Sequence, residues 1–201
     1  NGQPVGVIAN QPQVSAGCID INASTKAARF IRFCDAFQIP IINFVDCPGY
    51  LPGSNQEFNG IIRHGAKMLY AYSEATVPRI AIVFRKIYGG AMSGMAVSKY
   101  VGTDITGVLP TAEVAIMGPE GAANVLYKKE IEEAENPGEM RKEKIAQYKR
   151  DFANPYVAAE AGWIDAVIEP RKIRSFLITN LERLKGKKEL RPGKRHGTIP
   201  L

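Results

Sequence analysis

An α/β domain built on a largely parallel sheet is what this 201-residue sequence predicts. Short runs rich in β-branched residues, at 39–45 and 80–84, are apolar on both sides, as strands covered on both faces are. Glycine-bearing loops and then segments of helical apolar spacing follow them, so that strand, turn and helix recur in that order.

Taken in order, Ala27, Phe30, Ile31, Cys34 and Phe37 recur at helical spacing after the capping candidates Asn22 and Ser24, which predicts a helix over 24–37 with Cys34 in the core. A strand over 39–45 ends at Asp46, and the loop Asp46-Cys-Pro-Gly-Tyr-Leu-Pro-Gly53 holds two Pro-and-Gly turns. The next helix carries Ile61, Ile62, Ala66, Leu69 and Tyr70. Strand 80–84 leads into Arg85-Lys-Ile-Tyr-Gly-Gly-Ala91, followed by a helix over 91–99, a strand over 113–117 and a helix over 119–134. A charged, exposed helix over 137–152, a short helix over 154–161 with Pro155 near its start, a strand over 163–168 and a helix over 171–184 complete the pattern.

At 45% apolar composition the chain can bury one sizeable core, so residues 1–201 are read as one domain. No apolar run approaches the roughly 18 residues of a membrane span, and the start, Asn1-Gly-Gln-Pro, lacks the features of a signal peptide. The reading is a soluble intracellular protein. Cys18, Cys34 and Cys47 show no C-x-x-C spacing and are read as reduced, forming neither a disulfide framework nor a zinc site. Cys47 lies in a predicted loop, open to reaction or to ordinary packing. The net charge of +6 is concentrated late in the chain: residues 171–195 hold ten Lys or Arg against Glu182 and Glu189. Residues 185–201 are therefore read as a basic tail of the same domain, solvated or facing an acidic neighbour or polyphosphate. Without interleaved aromatics or a binding motif, this basicity does not indicate nucleic acid.

Gly89, Gly90 and Ala91 follow the strand at 80–84 and precede a predicted helix. Without bulky side chains there, a substrate oxygen can approach main-chain N–H groups closely, which is the chemistry of an oxyanion hole, and the helix dipole adds positive charge. Taken alone, the pair also reads as a tight turn. Loops 46–53, 85–91 and 118–122 stand at the carboxyl ends of strands and should line one cleft. None matches G-x-x-x-x-G-K-[ST] or G-x-G-x-x-G, which leaves nucleoside triphosphatase and dinucleotide dehydrogenase readings unsupported. His64 is read as a helix-surface or interface histidine, and Ser93 and Ser98 lack the G-x-S-x-G setting of a nucleophile. Asp46 either pairs with Glu57 or holds its Pro-Gly turn. Backbone donors without an evident protein base suggest that substrate or cofactor supplies the base.

Asp46-Cys-Pro-Gly-Tyr-Leu-Pro-Gly53, Gly60-Ile-Ile-Arg-His-Gly-Ala-Lys67, Glu74-Ala-Thr-Val-Pro78, Arg85-Lys-Ile-Tyr-Gly-Gly-Ala91 and His196-Gly-Thr-Ile-Pro-Leu201 occur in fixed order. With them the whole chain resembles the C-terminal half of the carboxyltransferase (β) subunit of biotin-dependent acyl-CoA carboxylases, nearest to the propionyl-CoA type. The resemblance implies a crotonase-like fold, a spiral of ββα units. It implies that N–H groups at Gly90 and Ala91 hold the ureido oxygen of biotin, within a cofactor-binding stretch that includes Tyr88 and Gly89. Met92 and Ser93 match substrate-side positions, where the family commonly has an aromatic residue and then one that helps choose the acyl chain. Leu109, before Pro110-Thr111-Ala112, also replaces an aromatic residue usual in the family. The implied activity is carboxyl transfer from carboxybiotin to a short acyl-CoA such as propionyl-CoA, with no metal in this domain. Its implied partners are acyl-CoA, a biotin carboxylase or biotin carrier subunit, and further copies in a hexamer, with no direct membrane contact. The implied location is the cytoplasm, or the mitochondrial matrix in a eukaryote. A sodium-pumping acyl-CoA decarboxylase and a non-catalytic docking domain for a biotinylated partner stand as alternatives, and the half-subunit alone is expected to be inactive.

Overall fold

The computed structural model describes residues 2–191, 193, 196 and 197. Its strands are β1 (Gly6–Ala9), β2 (Ile41–Cys47), β3 (Arg79–Tyr88), β4 (Ile105–Val108), β5 (Glu113–Ala115) and β6 (Ala166–Val167). The helices are α1 (Ile21–Ala36), α2 (Ser54–Phe58), α3 (Ile61–Glu74), α4 (Ala91–Gly94), α5 (Pro119–Leu126), α6 (Lys128–Glu132), α7 (Pro137–Asp151), α8 (Pro155–Glu160) and α9 (Ile173–Leu184). The sheet runs β1-β2-β3-β4-β6 with β5 added to β3, and its pairings are parallel.

Strand β3 organises this sheet. Its first half pairs with β4 through Ile80–Val83, and its second half pairs with β5 through Lys86–Tyr88. Opposite the change of partner, the register with β2 shifts between Val45 and Cys47, an irregularity of the kind that bends a strand. Side chains alternate across the pleat. Ala81 and Val83 enter the large core beneath α1 and α3, while Ile80 and Ile82 pack with Phe176, Leu177 and Leu181 of α9. Burial on both faces explains why these strands lack a polar side. Asn43, a polar residue that falls inside, is partnered through its oxygen only: Oδ1 accepts the Tyr72 hydroxyl at 2.6 Å, while Nδ2 has no hydrogen-bond partner among the described residues.

Several boundaries differ from the sequence expectation. Helix α1 starts earlier than residue 24, capped by Asp20, whose carboxylate accepts the Ala23 N–H at 2.6 Å. Its buried stripe is Ser24, Ala28, Ile31 and Cys34. Phe30 and Phe37 stand outside that stripe and are exposed, their rings in contact with Phe33. The strands β1 and β4 and the short helix α2 were not expected. Glycine obscures both strands, for a steric reason: a Cβ on Gly6 would lie 2.4 Å from Cys34 Sγ, and one on Gly107 would lie 2.9 Å from Ile168 Cδ1. The strands expected over 113–117 and 163–168 are shorter, and the helix expected over 119–134 breaks at Tyr127 into α5 and α6.

The helix expected over 91–99 is a single turn, α4, followed later by a 3₁₀ turn at Lys99–Val101. Ala96, at φ +51°, leaves the helical path, and the Met92 carbonyl takes both the Val97 and Ser98 N–H groups. The Thr103 and Thr106 hydroxyls then donate to the Ala96 and Val97 carbonyls at 2.6 and 3.0 Å. These distant side chains supply the partners that a longer helix would have supplied.

The basic tail is also tied down in its described part. Arg79 is fully buried, donating to the carbonyls of Tyr72 and Val101 and to Glu189 Oε1 at 3.1 Å. Lys187 reaches Asp104 at 2.9 Å and Glu189 at 2.7 Å, and Arg191 reaches Glu189 at 2.6 Å. The expected solvated tail is therefore a strap over the start of β3. Its further residues Lys194, Arg195 and 198–201, with most of the His196-Gly-Thr-Ile-Pro-Leu201 motif, lie outside the described residues. No helix among the described residues is long and apolar enough to cross a membrane.

Burial would raise the Glu189 carboxyl, but hydrogen bonds from Lys187 and Arg191 and the charges of Lys187 and Arg79 outweigh it and hold the group below its usual range. A carboxyl held below its unfolded value of about 4.3 contributes stability that is complete above that pH and lost as pH falls through the folded value. Glu189→Ala is expected to cost on the order of 3 kcal/mol at pH 7, because it leaves the buried Arg79 without this counter-charge. Urea unfolding of variant and parent checks this, and the difference between them should shrink below about pH 4.

Candidate active site

Gly89 closes the β3–β5 ladder, donating its N–H to the Ala115 carbonyl at 3.1 Å. It then turns the chain at φ +53°, a left-handed conformation that glycine adopts without penalty. A Cβ there would also stand 3.1 Å from the Ile116 carbonyl oxygen. One turn of helix follows: the Gly89, Gly90 and Ala91 carbonyls accept the N–H groups of Met92, Gly94 and Met95 at 3.0, 3.1 and 2.8 Å.

No atom among the described residues accepts the N–H of Gly90 or of Ala91. The first N–H groups of any helix lack intrahelical partners, and water usually satisfies them. Gly90 faces solvent, but Ala91 is 0% exposed. A buried backbone N–H without an acceptor is rare in native proteins, and a catalytic role is one of the explanations for such a group. Because α4 is a single turn, its dipole adds little, and the two donors themselves carry the electrostatics.

Around this pair the three expected loops meet. From the loop 46–53, the Tyr50 ring lies 3.9 Å from where a Gly90 Cβ would be. Tyr88 packs 3.4 Å from the corresponding position of Gly118, and its hydroxyl donates to Glu113, which is itself paired with Lys149 at 2.8 Å. Burial, and then the Glu113 hydrogen bond and charge, push the Tyr88 phenol up. Met92 and Ser93 are half-buried, with Met92 against the main core. A groove of about 860 Å³ lies between the end of β1, residues 10–20 and α1, and includes Met68 and Met95.

The remaining candidates are occupied elsewhere. Asp46 gives both oxygens to Arg85 Nε at 3.2 and 3.0 Å, and Glu57 stands exposed in α2. His64 Nδ1 lies 3.5 Å from Thr25 Oγ1. Partial burial and the charges of Lys67 and Arg63 hold its imidazole below the ordinary value, as befits a helix-surface histidine. Cys47 is the last residue of β2, fully buried, and its thiol is pushed up to about 11, chiefly by burial. Sequence reasoning missed Tyr50. Its signal was a glycine, Gly65, placed inside a strongly amphipathic helix.

The sequence profile of the carboxyl transferase domain matches residues 1–199. This chain belongs to the carboxyl transferase domain family. It is 58% identical over 201 residues to the propionyl-CoA carboxylase carboxyltransferase subunit of Haloferax mediterranei, aligning all of this chain with 39% of that protein. It is 54% identical to the methylmalonyl-CoA decarboxylase subunit alpha of Propionigenium modestum, again aligning all of this chain with 39% of the relative. Among solved structures, the transcarboxylase 12S hexamer with methylmalonyl-CoA and methylmalonic acid bound matches at TM-score 0.92 and 54% identity, over 98% of this chain and 38% of that one. The fold is crotonase-like, as the resemblance implies. The chain spans about 39% of the length of these curated relatives.

Iodoacetamide at pH 8 is expected to modify the half-buried Cys18 well before Cys34 or Cys47, both of which are buried. Peptide mass spectrometry of the native protein checks this, and prompt labelling of Cys47 would contradict its placement.

Proposed function

We propose that this domain is the biotin-side half of an acyl-CoA carboxyltransferase, with the N–H groups of Gly90 and Ala91 as its oxyanion hole. The observation that carries this reading is the pair of consecutive unpartnered donors, one of them buried, at the end of β3. A ureido carbonyl fits the arrangement: it brings one oxygen with two lone pairs, and Gly90 has no side chain to obstruct it. Carboxybiotin, carried on a partner protein, supplies the carboxyl group and, through its ring nitrogen, a base for the acyl α-proton. The chain's part is to orient that oxygen and to stabilise the negative charge that develops on it. This accounts for a site in which Asp46, His64 and Ser93 are not arranged as a protein base and nucleophile.

Tyr88 is assigned a contact of its ring with the cofactor, since Glu113 holds its hydroxyl. Met92 and Ser93 are assigned to the acyl side. Short acyl-CoA, propionyl-CoA first, is the proposed substrate, in an assembly of several copies served by a biotin carrier in the cytoplasm or mitochondrial matrix. The 54% identity to a decarboxylase subunit supports the reverse direction as a second reading. Supplying ATP, bicarbonate and propionyl-CoA, or methylmalonyl-CoA alone, to the complete enzyme separates the two.

Gly90→Val tests the hole. Gly90 stands at φ −60° and ψ −22°, a conformation open to any residue, and a Cβ there meets nothing nearer than the Tyr50 ring at 3.9 Å, so the added side chain obstructs an approaching oxygen without straining the turn. Carboxyl transfer by the full-length subunit with its biotin carrier should fall about 100- to 1,000-fold, with little change in melting temperature. An unimpaired rate would remove the assigned role. The 201-residue chain alone is expected to show no turnover in the same assay.

A further inference from the structure

Three glycines from two segments surround one ring. A Cβ on Gly94 would lie 2.5 Å from Tyr50 Oη, and one on Gly65 would lie 2.8 Å from Tyr50 Cε1. Real Cβ atoms do not approach that closely, so the ring occupies the space that both residues leave open. The same ring lies 3.9 Å from where a Gly90 Cβ would stand. Gly65 sits within α3, where glycine weakens a helix, and the ring gives the physical reason for it.

Tyr50 is anchored at both ends. Its backbone is bridged to Ile19: Ile19 donates to the Gly49 carbonyl at 3.0 Å, and Leu51 donates to the Ile19 carbonyl at 2.9 Å. Its hydroxyl donates to the Gly65 carbonyl at 3.3 Å. The turn it touches, α4, is four residues long and is held as well by the Gly89 bond to Ala115 and by Ala91 and Met95 in the core. Burial, aided by the charge of Cys47, pushes the phenol up to about 12, so at neutral pH it stays a neutral donor.

We infer that Tyr50 is the positioning residue of the donor pair: its ring, held between α3 and α4, determines where the N–H groups of Gly90 and Ala91 point. This rests on the oxyanion-hole reading above. The ring matters more than the hydroxyl, because ring carbons fill the space beside both Gly65 and Gly94.

The test uses the complete enzyme, following carboxyl transfer. Tyr50→Leu should lower kcat about 10- to 100-fold, the scale of a displacement near 1 Å, and leave the acyl-CoA KM within about two-fold. Tyr50→Phe keeps the ring and should retain activity within about three-fold. On the Gly90→Val background, Tyr50→Leu should cost less than about two-fold more, since residues acting through one another are not additive. A full multiplicative loss there would overturn the inference. Gly94→Ala forces a Cβ toward Oη and should slow transfer. Adding Tyr50→Phe removes that atom, leaving Cζ at 3.1 Å as the nearest contact, and should recover part of the rate. If the double variant is no faster than Gly94→Ala, the grip on the ring is not what positions the donors; this pair decides the matter even if Tyr50→Leu fails to fold. A fully active Gly90→Val enzyme would remove the oxyanion hole itself, whereas a crippled Gly90→Val beside a fully active Tyr50→Leu would remove only the role of Tyr50.

Discussion

Every backbone N–H withdrawn from water needs an acceptor, and the end of β3 is where the chain leaves that demand unmet. Gly89 takes the last ladder bond, to Ala115, and the chain then reverses through a left-handed residue into one turn of helix. Neither the strand behind nor the helix ahead can take the next two donors. The rest of the fold makes this arrangement sustainable: a long strand shared between β4 and β5, a core beneath it, and an aromatic ring set against the turn. The unsatisfied groups are costly to maintain at about 1–3 kcal/mol for a buried one, a cost that the surrounding burial offsets.

How far the sequence reveals this depends on how local each cause is. Strands β2 and β3 are legible because burial on both faces leaves its mark on every residue, and the glycine pair is legible because its stereochemical need is local. Strands β1 and β4 are hidden by Gly6 and Gly107, which close packing against Cys34 and Ile168 requires. The brevity of α4 depends on hydroxyls of Thr103 and Thr106, and the strap depends on ion pairs between Arg79 or Asp104 and residues past 186. Interactions across such separations leave no periodicity to read. Phe30 and Phe37 mislead in another way: they are apolar at nearly the right spacing, yet they lie just outside the stripe that Ile31 and Cys34 define.

For the site itself, the elements of chemistry were visible as residue types, while their division of labour was not. Tyr88 and Tyr50 both stand beside glycines, but one gives its hydroxyl to Glu113 and the other fills the space that Gly65 and Gly94 leave open. Asp46, a plausible carboxylate by position, is neutralised by Arg85, a partner that only the bent β2–β3 pairing brings alongside. Apolar surface stands close to the donors as well: Ile116, whose carbonyl faces Gly89, is 68% exposed, and Val125 and Leu126 of the nearby α5 are also on the surface.

The cluster of Arg79, Asp104, Lys187 and Glu189 sits where β3 begins, and the donors sit where it ends, roughly 30 Å away along ten residues of strand. One segment thus keeps its fastening and its working end apart. Side chains beside the working end, Met92 and Ser93 among them, can be exchanged without loosening the knot of charges that secures the chain. On the oxyanion-hole proposal, the end of the strand that meets substrate is thereby separated from the ion pairs that secure its start.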